Sequence, residues 1–245
     1  MNTNKKMARI VGALMLIATA TYMLGSGLLD AILTAPEFLT HIYPNRAQVV
    51  LGVLLEYIDA VAVVGIGVAM FPILKRYNEA IAVSYVGTRI IECVLLFVAG
   101  ISVMSLIPLS QAYSQSGALD AAYFQTAGML SVAQSDLAFQ IAMLALGLGS
   151  IPFCILLYQS KLIPRTLSVL GLIGYAALML GTIAGLFGLI NVTQGAGLLT
   201  VVPGGLFELI FPIWLFVKGS NSSIITSEPD TTVISERDEM SLAQA

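Results

Sequence analysis

The chain has 245 residues, of which 58% are hydrophobic and 10% charged, whereas a typical soluble domain has about 25% charged residues. Its 11 basic and 14 acidic residues give a net charge of −3, and no basic block offers a surface for nucleic acid. Because charges are missing from long apolar blocks, the composition excludes an ordinary soluble domain and predicts an all-α polytopic membrane protein.

Six apolar segments are long enough to cross a bilayer as helices. They predict a six-helix transmembrane bundle whose spans cover residues 10–29, 47–71, 81–107, 137–158, 167–190 and 198–217. Residues 1–218 are therefore predicted to form one transmembrane domain. Residues 219–245 are rich in Ser, Thr and acidic side chains without an apolar period, which predicts a disordered cytoplasmic tail.

Basic residues in the connections predict the orientation of the spans. They precede span one, separate spans two and three and spans four and five, and follow span six: Lys5, Lys6, Arg9, Lys75, Arg76, Lys161, Arg165 and Lys218. The other side has only Arg46. Because basic residues collect in cytoplasmic loops, both termini are predicted to be inside, in a bacterial cytoplasmic membrane. Small residues at Ala18-Thr19-Ala20 leave open whether span one is a cleaved signal peptide.

Local signals predict where several helices begin and end. Three pairs have the spacing of an N-cap and its third residue, and so predict helix starts: Thr34 with Glu37, Asn45 with Gln48, and Ser131 with Gln134. Pro72 predicts the end of span two. For residues 116–129 two interpretations are open, a segment lying along the membrane surface and an ordered loop over the helix ends.

Glycines make span five a close-packing helix. Gly171, Gly174, Gly181 and Gly185 recur along it, and small residues at such spacing let helix backbones approach closely. We expect this face to pack inside the bundle rather than to form a dimer. The sequence predicts no oligomeric state.

Five charged residues lie within the predicted spans. They are Glu56 and Asp59 in span two, Arg89 and Glu92 in span three, and Glu208 in span six. A charge at the bilayer centre costs about 2.5–3.5 kcal/mol on insertion scales. These groups are therefore predicted to face one another or a wet cavity rather than lipid.

The depths of these charges predict that they converge. Counted at about 1.5 Å per residue, Asp59 is level with Arg89, Glu56 is level with Glu92, and Glu208 is close to the second level. We expect Arg89 to be the fixed positive group with Asp59 as its partner. One guanidinium cannot neutralise four carboxylates, so the excess acids require protons or a cation.

Catalytic and metal chemistry find no support in the sequence. Cys93 and Cys154 lie in apolar runs, and the one histidine, His41, lies in a connection. No ligand spacing, intramembrane protease motif or phosphate loop is present, so we expect no metal, no cofactor and no enzyme activity.

Three segments resemble a known family of bacterial membrane proteins. They are ARIVGALMLIATATYMLGSG, PILKRYNEAIAVSYVGTRIIECVLL and GGLFELIFPIWLFVKG, and they are similar to the family named domain of unknown function 4386. The resemblance covers residues 7–219 and implies a multi-span protein of the cell envelope. It implies no reaction, substrate or catalytic residue.

Two functions fit the predicted bundle. The first is a proton- or ion-coupled transporter or small-ligand sensor, in which Glu56, Asp59, Arg89, Glu92 and Glu208 bind a proton, a cation or a small polar ligand. The alternative is a structural or accessory membrane protein whose buried charges only specify helix packing. The lipid bilayer is the predicted partner in both cases.

Overall fold

The computed structural model describes residues 3–115, 121–190 and 195–218. Along them run seven α-helices, with a short 3-10 turn (Gly195–Gly197) before the last: α1 (Thr3–Leu33), α2 (Phe38–Ile42), α3 (Arg46–Leu74), α4 (Glu79–Gln115), α5 (Ala121–Ser160), α6 (Arg165–Leu186) and α7 (Leu198–Lys218). The predicted tail, residues 219–245, lies outside the described residues, so its disorder stays a prediction.

Six of these helices are long and apolar enough to cross a membrane. Within the described residues they are all of the helices except α2, and no strand occurs there. The predicted all-α bundle of six spans is therefore confirmed. The side of the membrane on which the termini lie stays a prediction.

The six long helices form a ring. Each packs against the next along the chain, α1 on α3, α3 on α4, α4 on α5, α5 on α6 and α6 on α7, and α7 packs back on α1. Of these six pairs, α7 with α1 is the least extensive. We call the end of the ring that holds the start of α1 and the end of α7 the terminal end. Six helices in a ring enclose more space than a pairwise-packed bundle, and the centre of this ring holds the candidate site.

α1, α4 and α5 are all longer than the spans that the sequence predicts. α4 continues through Pro108 to Gln115, and α5 already begins at Ala121. The ordered-loop interpretation is therefore wrong for residues 121–129, which are helical, and the membrane-surface interpretation stays a prediction. Residues 116–120 lie outside the described residues. The extensions hold together because α4 and α5 pack along them, with the Tyr113 and Phe124 ring centroids 6.2 Å apart.

The helix ends correct the local predictions. α3 runs past Pro72 to Leu74, because a proline in the last turn displaces little of the hydrogen-bond ladder, and Lys75 N–H still donates to Phe71 O at 2.9 Å. α3 does begin after Asn45, as predicted, but the Asn45 side chain donates to His41 O instead of capping.

The other two predicted caps are also wrong as caps. The short helix α2 follows Glu37, but Thr34 Oγ1 donates back to Asp30 O at 2.6 Å and so extends the hydrogen bonding at the end of α1. Ser131 lies inside α5 and donates to Ala127 O. Hydroxyl groups in apolar helices often donate a hydrogen bond to a backbone carbonyl of the preceding turn in this way.

Gly171 and Gly174 of α6 pack against neighbouring helices of the ring, as predicted. A Cβ atom at Gly174 would lie 2.6 Å from the backbone of Gly204 in α7, and one at Gly171 would lie 2.8 Å from Cys154 Sγ in α5. Backbone contacts this close require glycine.

We expect Gly174→Ala to destabilise the protein by about 1–3 kcal/mol, since α6 and α7 must separate to admit the methyl group. Thermal unfolding in a mild detergent measures the change. The matched control is Gly87→Ala in α4, where a Cβ atom meets nothing within 4 Å, and its stability should be equal or higher. Equal melting temperatures for both variants would contradict the close contact.

Candidate functional site

A cavity of about 280 Å³ occupies the centre of the ring. All six long helices contribute to its wall, and most lining side chains are apolar. Four charged side chains interrupt that apolar wall: Asp59 from α3, Arg89 and Glu92 from α4, and Glu208 from α7. A mostly apolar cavity with a few convergent polar groups is typical of a small-molecule site.

Arg89 and Glu92 form a buried ion pair on α4. The Arg89 side chain donates from Nη1 to both carboxylate oxygens of Glu92, at 3.3 Å and 3.0 Å. The two residues are only 5% and 3% exposed. Their three-residue spacing places both side chains on one face of the helix, which is why they meet.

The other terminal nitrogen of the Arg89 guanidinium, Nη2, also has hydrogen-bond partners. Nη2 donates to the Tyr85 hydroxyl at 3.1 Å and lies 3.5 Å from Ser150 Oγ of α5. The guanidinium carbon lies 5.1 Å from the centroid of the Tyr85 ring, which stacks on Phe153 of α5. Arg89 therefore cross-links α4 to α5 as well as neutralising Glu92.

The expected ion pair between Arg89 and Asp59 is not formed. Among the residues that the structure describes, the Asp59 side chain has neither a hydrogen bond nor an ion pair. It is buried against the cavity and lies within electrostatic range of Arg89, Glu92 and Glu208. Glu92 replaces it because a neighbour one turn along the same helix reaches the guanidinium more directly than a side chain on another helix.

Glu208 faces the cavity from α7 and is held by a tyrosine. Its Oε1 accepts a hydrogen bond from the Tyr175 hydroxyl of α6 at 3.0 Å. Tyr175 is itself fully enclosed, edge-on to the ring of Phe207. Glu208 therefore has a neutral partner rather than a positive one.

Glu56 lies outside the cavity wall. It packs against α1, where its Cγ would lie 3.0 Å from a Cβ atom placed on Gly25. Residues three apart on a helix differ by about 60° around the axis, which is enough to point Asp59 at the centre and Glu56 at the neighbouring helix. Four of the five predicted charges thus reach one cavity, and the fifth does not.

Two residues of the site, Tyr175 and Ser150, were not predicted from the sequence. Both lie in apolar spans that carry no charged residue. A tyrosine in the middle of an apolar helix requires a partner for its hydroxyl, and that requirement was the available signal. Ser150 gave none, because a serine in such a helix can satisfy itself on its own backbone.

The charges around the cavity do not balance. Three carboxylates, Asp59, Glu92 and Glu208, face one guanidinium, which is committed to Glu92. Burying a charged group without a partner is costly, so Asp59 and Glu208 call for protons or a positively charged ligand. No cluster of three or more His, Cys, Asp or Glu side chains in the described segments could hold a metal ion.

One comparison with known proteins gives a match. A family model described as "Domain of unknown function (DUF4386)" matches residues 10–219, a range that includes every wall of the cavity. Neither a curated protein nor a solved structure matches the chain.

Proposed function

We propose that this chain, which belongs to the DUF4386 family of domains of unknown function, is a proton- or ion-coupled transporter or small-ligand sensor. Its central cavity binds a proton, a cation or a small polar ligand. The family description assigns no activity, so the proposal is supported by the cavity alone. We place the protein in the bacterial cytoplasmic membrane with both termini inside, as the basic connections indicate.

The charge imbalance of the cavity is the observation that carries this proposal. Asp59 and Glu208 line the space from α3 and α7, the two helices that flank α1 in the ring. Neither acid has a cationic partner among the described residues. Ionisable groups inside a membrane are expensive, and they usually mark a pathway or a binding site. A proton or cation held between these two acids would remove the imbalance.

The four cavity charges then divide into two roles. Asp59 and Glu208 exchange protons or bind the cation. Arg89 and Glu92 form a fixed pair that ties α4 to α5 and keeps the wall rigid. Tyr175 orients the Glu208 carboxylate by its hydrogen bond. A movement of α3 against α7 would change the separation of the two acids and hence their affinity.

A purely structural role is favoured for one part of the site. The Arg89 and Glu92 side chains satisfy each other, with Tyr85 and Ser150 completing the guanidinium, so helix packing accounts for them. It does not account for Asp59, which contributes no hydrogen bond to any helix contact in the described residues. The accessory-protein alternative therefore explains half of the site.

Infrared difference spectroscopy of the protein in nanodiscs tests the proposal. Acidification should increase the carbonyl stretch of protonated carboxyl groups, and tetramethylammonium chloride at constant pH should decrease it. Asp59→Asn and Glu208→Gln should each remove part of the signal, since each removes one titrating acid.

The matched control for this test is Asp136→Asn. Asp136 is an acid on α5 that is exposed and outside the cavity, so its substitution should leave the cation-dependent change intact. A signal from Asp59 and Glu208 that responds to neither pH between 5 and 9 nor the cation would refute the proposal and leave the structural alternative.

A further inference from the structure

We propose that the ligand is an amphipathic organic cation, an ammonium ion carrying alkyl or aryl groups, that reaches the cavity from the bilayer between α1 and α7. This inference rests on the proposed function, because it uses the same two carboxylates. It adds the chemical class of the ligand and the route by which the ligand arrives.

The size of the cavity exceeds what a proton or a bare ion needs. A single water requires roughly 10–15 Å³ of such space, and the cavity has about 280 Å³. It also lies close to the lower limit of about 300 Å³ for sites that hold small organic molecules. The acids thus border a space for a compact organic group rather than a point for one ion.

The wall suits a cation with apolar substituents. Around the acids it presents the thioethers of Met15 and Met143 and the rings of Tyr22, Phe139 and Tyr175. Aromatic faces attract organic cations, and polarisable methionines adapt to irregular apolar groups. A strongly hydrated ion would have to give up its water against such a surface, whereas an alkylammonium ion has little hydration to lose.

The exposed part of the cavity wall lies on two helices only. Met23 of α1 is 63% exposed, Val201 and Leu209 of α7 are 39% and 42% exposed, and Gly205 of α7 is also exposed. Lining residues of α3, α4, α5 and α6 are buried or partly buried. The cavity therefore opens between α1 and α7, at the least extensive contact of the ring.

This opening faces the hydrocarbon region. At 1.5 Å per residue, Met23 lies about 15 Å from the end of α1 at Leu33, and Leu209 lies about 17 Å from the start of α7 at Leu198. Both depths are near the middle of a core about 30 Å thick. The residues beside the opening, Leu24 and Val202, are exposed and apolar, so the medium outside it is lipid.

The terminal half of the same helix pair is closed. There α1 and α7 pack tightly, and a Cβ atom on Gly12 would lie 3.1 Å from the Phe216 ring and 3.2 Å from Pro212 O. The two helices thus touch near the termini and separate toward the opposite end. A molecule dissolved in the bilayer leaflet on the side away from the terminal end therefore reaches Glu208 by passing Gly205. It does not have to enter at the ends of the helices.

Equilibrium dialysis of the full chain in nanodiscs tests both parts of the inference. The probes are radiolabelled tetramethylammonium, butyltrimethylammonium and hexyltrimethylammonium, corrected for partitioning into nanodiscs without protein. Because each buried methylene contributes about fourfold in affinity, butyltrimethylammonium should bind at least tenfold more tightly than tetramethylammonium. Asp59→Asn should weaken the binding of every probe at least tenfold, since it removes a buried counter-charge.

Gly205→Trp tests the route. A Cβ atom at Gly205 meets nothing within 4 Å, so a side chain can start there without a clash, and we expect the indole to fill the opening. Binding of butyltrimethylammonium should weaken or its association should slow at least tenfold. The matched control is Gly27→Trp on α1, which is also exposed and unobstructed but lies off the cavity, and it should behave like the wild type.

Each outcome bears on one part of the inference. Equal affinity for all three probes would overturn the amphipathic class while leaving carboxylate-dependent cation binding, and hence the proposed function, intact. Normal binding in Gly205→Trp would overturn the lateral route. Alkylammonium binding that survives in the Asp59→Asn and Glu208→Gln double variant would overturn the inference at its site, and the infrared signal then reports separately whether the acids titrate.

Discussion

Replacing Arg89 by Met should destabilise the protein by about 3–5 kcal/mol, because it leaves Glu92 as a buried charge without its partner. Arg89 is 5% exposed, and its guanidinium makes both the ion pair and the contacts to Tyr85 and Ser150. Equilibrium unfolding with a denaturing detergent, followed by circular dichroism, measures the loss. Glu92→Leu alone should cost a similar amount of stability, since it leaves Arg89 as a buried charge without its carboxylate partner.

The double variant Arg89→Met with Glu92→Leu is the decisive control. Replacing a buried ion pair by apolar side chains of similar size is often neutral or stabilising, so the double variant should recover most of the lost stability. When Asp59→Asn is added to this double variant, the infrared signal of protonated carboxyl groups should still lose the part that comes from Asp59. If the double variant is as unstable as either single variant, Arg89 or Glu92 supports something other than its partner, and the division into a structural pair and a binding pair is wrong.

The membrane bundle could be predicted from the sequence because its signal is compositional. Long apolar runs identify spans regardless of how the helices pack, and all six were found. The helix ends were harder. Pro72 and Pro108 lie inside helices. Pro72 falls in the last turn of α3, where it displaces little of the hydrogen-bond ladder, and α4 continues past Pro108 because it packs on α5.

The depth of the site residues in the bilayer could be predicted from the sequence, but the side of each helix on which they lie could not. Counting residues from the span ends placed the charges near one level, and the structure brings four of them to one cavity. Depth does not give the angle around the helix, so Glu56 and Asp59 were treated alike although they face different neighbours. The same limit led to Asp59 as the expected partner of Arg89, when the three-residue spacing to Glu92 already offered a closer one.

The cavity itself could not be predicted from the sequence, for a different reason. It exists because six helices close into a ring, and ring closure depends on the contact between the first and the last span. No local pattern encodes such a contact between distant segments. The glycines and aromatic residues that make it possible are visible in the sequence, but their partners are not.

Phe207→Ala should have the other large effect, a loss of about 3–5 kcal/mol, because it empties a fully buried ring from the junction of α5, α6 and α7. Phe207 stacks on Phe211 with ring centroids 5.1 Å apart, lies edge-on to Tyr175 at 5.7 Å, and passes close to Gly171. Van der Waals packing of this kind holds helices together in a bilayer, because moving an apolar side chain from lipid to a helix interface brings no hydrophobic gain. The same detergent unfolding measures the loss.

The adjacent residue provides the control for this prediction. Leu206 is 46% exposed on the outer face of α7, so Leu206→Ala removes a side chain of similar chemistry at little cost. Phe207 also supports Tyr175, whose hydroxyl orients Glu208, and Phe207→Ala should therefore weaken tetramethylammonium binding as well as stability, while Leu206→Ala changes neither. A stable Phe207→Ala variant with normal cation binding would show that the aromatic cluster does not position the acid, and Glu208 would then have to be held by α7 alone.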